Sequence, residues 1–234
     1  MSYANALSKT LTKTPIEFKN LPDEKILFVM DSYALSKTDI DFSPTNIDPM
    51  SSVAIIRRAY RFFALQKNRF QNNSFGICLL TPHSFNLVMD FTTNINVVIE
   101  KLSSILAQND KPEEVAAYDF GPLLKYIGKL RNLHKDCIFR VIMTYNRDDC
   151  LPIIEPLDKK TFNIFCSPTF YFDTVYVCEN NIETDEMAQN IYGKLALLCS
   201  TWSQKVCVQR KPMAIINGIT SLLPHPYTRE LTTK

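Results

Sequence analysis

The feature that most constrains this chain is a run of large apolar residues, Ile26, Leu27, Phe28, Val29 and Met30, that ends without any alternation on Asp31. A strand with one wet face alternates apolar and polar side chains. A strand buried on both faces reads as a continuous apolar run, as expected at the centre of a parallel sheet. In open α/β sheets, ligands gather in the crevice beyond the carboxyl ends of such strands, so Asp31 is the first candidate ligand-binding side chain.

The rest of the chain supplies the partners for that strand. After a polar loop, Asp48 as cap and Pro49 at the first helical position predict a helix start, and Val53, Ile56, Tyr60 and Phe63 follow at helical spacing. Residues 74–81 read as a second buried strand, and Pro82-His83 turns it into an antiparallel edge strand over 84–91. Asn94 caps a helix running through Leu106, residues 109–118 form a polar connection, and a helix follows over 120–133 in spite of Gly128. Strands over 138–145, 170–177 and 205–209 then alternate with helices over 185–200 and 212–223, and a short Pro-punctuated segment precedes the strand at 170. This order predicts right-handed crossovers in a doubly wound, Rossmann-like, mostly parallel α/β sheet with one antiparallel edge strand and helices on both faces. Residues 1–22 are rich in Ser, Thr and Lys with no sustained period and read as a flexible arm. Residues 23–223 form the domain, and 224–234 a C-terminal tail.

Bulk properties exclude several classes. A chain of 234 residues, 46% hydrophobic and 21% charged, can bury a sizeable core and is not a mostly disordered one. The net charge of +2 predicts no strong pull toward nucleic acid or an anionic membrane, and no apolar run reaches the length of a membrane span. The N-terminus has neither a signal-peptide apolar region nor a transit-peptide arginine bias, so residence in the cytoplasm or nucleus is expected. Seven cysteines, an odd count with no Cys-x-x-Cys pair, fit a reducing compartment. The five glycines form neither a phosphate loop nor a nucleophile elbow, and His134 with Cys137 lacks the second ligand pair that a zinc site needs. No cofactor and no catalytic residue is expected.

Four segments in order carry a resemblance: residues 24–31, residues 141–150 (Val-Ile-Met-Thr-Tyr-Asn-Arg-Asp-Asp-Cys), residues 165–176 (Phe-Cys-Ser-Pro-Thr-Phe-Tyr-Phe-Asp-Thr-Val-Tyr), and the ending Leu222-Leu223-Pro224-His225-Pro226. Together they resemble the von Willebrand factor A-like scaffold subunits of the BRISC and BRCA-A deubiquitinase complexes, over about residues 22–229. The resemblance implies a non-catalytic adaptor. It would stabilise an assembly in which a JAMM zinc metalloprotease, supported by a pseudo-enzyme scaffold partner, cleaves polyubiquitin joined through lysine sixty-three. Its direct partner would be the ubiquitin-conjugating-enzyme-variant subunit. The nuclear assembly would serve double-strand-break repair and checkpoint control, and the cytosolic one would trim receptors. The family's vertebrate members carry long N-terminal tails, and none is expected for this chain.

The resemblance also sharpens Asp31. Von Willebrand A domains hold a divalent cation with Asp-x-Ser-x-Ser at this strand end, but here the hydroxyl positions are Tyr33 and Leu35. A hard cation needs near-octahedral oxygen ligation, which leucine cannot supply. The other two ligand regions, near residues 116–119 and 145–147, lack the expected threonine and aspartate, although Asp119 and Asp148 lie close enough for a shifted site. The expectation is therefore a degenerate site at Asp31, Tyr33 and Leu35 with no metal, and a capping role for Asp31. At the other end of the chain, the family's matching ending docks on the ubiquitin-conjugating-variant partner, which makes Pro226, Tyr227 and Arg229 the candidate partner-binding residues. A proline-stiffened segment loses little entropy on docking, Tyr227 can fill a pocket, and Arg229 offers a forked donor to a carboxylate. The competing readings are a metal-dependent ligand-binding A domain and an α/β enzyme without a known motif.

Overall fold

The apolar run forms the strand it predicts, with the burial that its composition demands. In the computed structural model, which describes residues 21–32, 51–69, 72–105, 117–156, 158–199 and 202–229, β1 (Glu24–Asp31) has Ile26 to Met30 wholly inaccessible to solvent. Burying side chains of this size contributes about 1.5–3 kcal/mol each. β1 pairs in parallel with β2 (Ser74–Leu80) on one side and β5 (Ile138–Tyr145) on the other. β3 (Phe85–Thr92) adds antiparallel to β2 as the edge, and β7 (Phe170–Cys178) and β8 (Lys205–Gln209) continue the sheet in parallel beyond β5. The six strands therefore run in the order β3-β2-β1-β5-β7-β8. A second ribbon pairs β4 (Ala117–Asp119) with β6 (Leu151–Ile153).

Helices cover both faces. On one lie α1 (Ser52–Asn68), α2 (Ile95–Ser104) and α6 (Pro212–Thr220), whose Val53, Ile56, Tyr60, Phe63, Val98, Leu102, Ile215 and Ile219 meet Ile26, Phe28 and Met30. On the other lie α3 (Gly121–Leu133), α4 (Lys159–Phe165) and α5 (Glu186–Leu195), packed on Leu27, Val29, Val141 and Phe172. α6 approaches the sheet so closely that a Cβ on Gly218 would lie 2.8 Å from Val208 Cγ1, so only glycine fits there.

Several boundaries differ from the expectation. α1 begins at Ser52, with Ser51 as its cap accepting from Ala54 N; the expected cap Asp48 and Pro49 lie outside the described residues, as do Tyr33 and Leu35. α2 ends at Ser104 because Ile105 is already extended. α5 ends at Leu195 and passes into a 3-10 turn over Ala196–Leu198. The polar connection before α3 closes into β4, and the Pro-punctuated segment holds β6 and α4; three-residue strands and a seven-residue helix are too short to show a period. The last helix stops at Thr220, and the chain then runs through a second 3-10 turn, Pro226–Thr228, packed against the body. Pro226 and Arg229 are buried, so the domain reaches at least residue 229 and does not end at 223.

Candidate functional site

The carboxyl ends of β1 and β5 meet at the switch point of the sheet, where one crossover leads toward β2 and the next toward β7. Asp31 is fully buried there, and the group lying on it is the guanidinium of Arg147, two residues past the end of β5. Arg147 Nε is 3.0 Å and Nη2 3.0 Å from opposite oxygens of the carboxylate, and the Asn146 backbone N–H donates to Asp31 Oδ2 at 3.1 Å. Two further guanidinium donors go to the Thr81 carbonyl at 2.8 Å and the Pro82 carbonyl at 3.2 Å, beyond the end of β2. Tyr118 of β4 lies against the same cation with 4.7 Å from its ring centre to Cζ. Burial alone would lower the pKa of Arg147, but the charge of Asp31 outweighs it and holds the guanidinium protonated more firmly than usual.

Asn146 extends this arrangement sideways. Its amide donates to Ser52 Oγ in the first turn of α1 at 2.7 Å, and its carbonyl accepts from Arg210 Nε at 3.2 Å. Arg210, just past β8, also pairs with Asp148, whose carboxylate accepts from Tyr176 and from the Glu179 N–H. Burial raises the Asp148 carboxyl above its ordinary value in spite of Arg210. The ends of β1, β5, β7 and β8 are thus tied together by charge at the place where this architecture binds ligands.

These contacts decide how the sequence candidates stand. Asp31, Asp119 and Asp148 do not converge: Asp119 Oδ1 accepts from the Gly121 N–H at the start of α3, and Asp148 belongs to Arg210. Among the described residues, no three His, Cys, Asp or Glu side chains are grouped as metal ligands. The donor set around Asp31 is hydrogen-bond donors and a cation, which fits a carboxylate and not a divalent metal. Asp31 caps through the Asn146 N–H, but its main partner is Arg147, a cation where the Asp-x-Ser-x-Ser pattern would predict oxygen ligands. The available signal was an arginine two residues beyond a strand end that faces an apolar-strand aspartate. His134 and Cys137 form turn contacts, with the His134 ring edge-on to Phe91 at 5.5 Å and the Cys137 thiol 3.4 Å from the His134 carbonyl.

The candidate partner-binding residues fall at the opposite, amino edge of the sheet. Arg229 points inward and grips Asp173 of β7 with both arms of its fork, each at 2.7 Å. Its fork is therefore occupied within the chain. Asp173 also accepts from Arg140 Nε at 2.8 Å and from the Gln204 N–H at 2.7 Å. Arg140 continues to Glu24 Oε2 at 3.1 Å, Glu24 pairs with Lys67 at the end of α1, and Arg140 donates to the Leu222 carbonyl. Burial would raise both carboxyls, yet Arg140 with Arg229 holds Asp173 below the usual carboxylate range, and Arg140 with Lys67 does the same for Glu24. His225 Nδ1 accepts from the Tyr227 N–H at 3.2 Å and Nε2 lies 3.1 Å from the Pro22 carbonyl, a pairing that selects the neutral ring. Burial accordingly lowers its pKa. Tyr227 stays partly exposed, edge-on to His225 at 5.4 Å.

No family model and no curated protein sequence matches the chain. Solved structures do match. A D319A mutant of the PilB minor pilin from Streptococcus sanguinis aligns with a TM-score of 0.59 at 9% identity, over 90% of this chain and 62% of that one. The VWA domain of SpRpn10 aligns at 0.54 and 12% identity, over 86% and 95% of the two chains. The vWF domain of the type V pili tip protein Mfa5 from Porphyromonas gingivalis aligns at 0.53 and 8% identity, over 86% and 94%. With the strand order and the helices on both faces, these likenesses identify the fold: the chain is a von Willebrand A-like α/β domain.

Proposed function

We propose that this chain is a non-catalytic scaffold subunit of a deubiquitinase complex that cleaves polyubiquitin joined through lysine sixty-three, working in cytoplasm and nucleus. The observation that carries the reading is Arg147 on Asp31: the crevice where a von Willebrand A domain would recruit a ligand through a cation is filled by an internal ion pair. A domain built in that way engages partners through its outer surfaces. The four segments that resemble the BRISC and BRCA-A scaffold subunits point to the class of partner. These are a ubiquitin-conjugating-enzyme-variant subunit in direct contact, and a JAMM metalloprotease with its pseudo-enzyme in the same assembly.

The partner-facing role of the C-terminal segment now divides between its residues. Arg229 and Pro226 hold the segment in place, and the partly exposed Tyr227 is the side chain offered to a partner. Tyr227→Ala is expected to weaken co-purification of the partner without changing the unfolding midpoint. Deleting residues 227–234 would also remove Arg229 from Asp173, so that deletion tests folding and binding together and cannot isolate the second. Affinity purification of the full chain from its native cell tests the reading as a whole. It should recover a metalloprotease of the JAMM class and a ubiquitin-conjugating-variant protein, and their absence overturns it.

A further inference from the structure

An open cavity of about 340 Å³ lies where the ends of α3 and α4 meet, and it shares no residue with either ion network. Its lining comes from residues 131–135 and 163–167, both described throughout: Arg131, Asn132 and Lys135 at the end of α3, and Asn163, Ile164 and Ser167 at the end of α4. Arg131 sets the place apart. Among the described residues, the buried arginines Arg140, Arg147, Arg210 and Arg229 each lie on a carboxylate. Arg131, only 6% exposed, donates instead to two neutral oxygens, the His134 carbonyl and Thr169 Oγ1. A guanidinium taken out of water without an anion is costly to hold charged. Burial accordingly lowers its pKa below the ordinary arginine value, and Cys137 and Asp136 offset this only in part.

We propose that this cavity binds the phosphoryl group of a phosphate monoester. The lining supplies two cations, Arg131 and Lys135, and no carboxylate. Near neutral pH a monoester carries about 1.5–2 negative charges on three acceptor oxygens, which matches the two cations together, whereas a carboxylate brings a single charge. The His134 carbonyl and Thr169 Oγ1 take up only part of the planar donor set of Arg131, and the rest suits a forked contact with an oxyanion. Ser167 adds a hydroxyl. Its Oγ lies 3.1 Å from Thr169 Oγ1, and both Arg131 and the Thr169 N–H donate into this hydroxyl pair, so one of its two protons is left for a further acceptor. Asn132 and Asn163 contribute amide donors, and Ile164 gives the carbon part of an ester an apolar wall. The binding is independent of the deubiquitinase reading, since it needs no second protein.

The isotope-labelled full chain is titrated with inorganic phosphate near neutral pH, against chloride at matched ionic strength, and its amide resonances are followed. Signals from residues 131–135 and 163–167 should shift and saturate with phosphate only. Lys135→Gln removes an exposed cation from the lining without touching the core and should weaken the affinity about tenfold, the usual loss for one charged hydrogen bond. Lys129→Gln removes the same charge from an exposed position on α3 outside the lining and should leave the affinity unchanged. Arg131→Lys keeps the charge without the fork and should weaken binding at least as much as Lys135→Gln. Two monoesters separate the sources, glycerol phosphate for a small metabolite and a phosphoserine peptide for a protein side chain. At least one should bind more tightly than inorganic phosphate, and the tighter of the two names the source. The proposal is overturned by shifts that do not saturate, by the same affinity in Lys135→Gln as in Lys129→Gln, or by monoesters that both bind more weakly than inorganic phosphate.

Discussion

At the carboxyl edge of the sheet, Arg147 lies on Asp31 and joins the ends of β1, β2 and β5; at the amino edge, Arg140 and Arg229 share Asp173 and draw the C-terminal segment onto β7. Both are buried ion networks on strand termini, yet they act over different lengths of chain. The carboxyl-edge pair fills the crevice that the fold offers to ligands. The amino-edge network, from Glu24 through Arg140 and Asp173 to Arg229, fastens the last described residue to the first strand. Buried ion pairs contribute little net stability relative to well-packed apolar groups, but removing one partner strands the other charge in a dry interior. Such pairs therefore fix position, and the difference between the edges lies in what is positioned: an occupied crevice at one, a chain end at the other.

The largest effect is expected at Asp173. Asp173→Ala takes the carboxylate from the buried Arg229 and leaves the buried Arg140 with Glu24 alone, and it is expected to cost about 3–5 kcal/mol, read as a lowered urea midpoint. If that variant unfolds at the unaltered midpoint, the C-terminal segment is not held as described. Arg147→Ala strands a single carboxylate, which keeps the Asn146 N–H, and is expected at the lower end of that range, about 3 kcal/mol. Replacing both partners, Asp31→Leu with Arg147→Met, should restore much of the loss. A double variant weaker than the single would mean that the crevice needs the charges themselves.

Acid should separate the edges by a smaller margin. Glu24 and Asp173 have depressed folded pKa values, so the stability they contribute is present above the ordinary carboxyl values of 4.5 and 3.8 and is lost as pH falls through the lower folded values. His225 is also depressed, so its unfolded form takes up a proton first, and stability declines below 6.5, the ordinary histidine value. His134 adds to that decline. Asp148, raised by burial, works the other way and recovers stability as it protonates. Urea midpoints should thus fall in two stages, near neutrality and again below the carboxyl range, with the first stage reduced in His225→Gln. An unchanged first stage would remove His225 from the account.

The strands that carry the architecture were legible because their burial dictates their composition, as in Ile26 to Met30 and in the strand ending at Tyr145. The ribbon of β4 and β6 and the helix α4 were not, although Asp158 accepting from the Thr161 N–H is an ordinary helix-start signal. The ion networks were half legible. An arginine at 140 and an aspartate at 173, each inside an apolar strand, announce a buried partner, but sequence alone does not say that Arg229, distant along the chain, completes the set. That same distance made Arg229 read as a donor for another protein's carboxylate.

Magnesium titration of the purified chain by calorimetry asks whether Arg147 has taken the place of a cation at Asp31. If Arg147 holds the place of the cation, the titration shows no saturable binding that depends on Asp31, and the unaltered chain and Asp31→Ala give the same featureless heats. Saturable binding in the unaltered chain that is lost in Asp31→Ala would contradict the account and return the domain to the metal-dependent class.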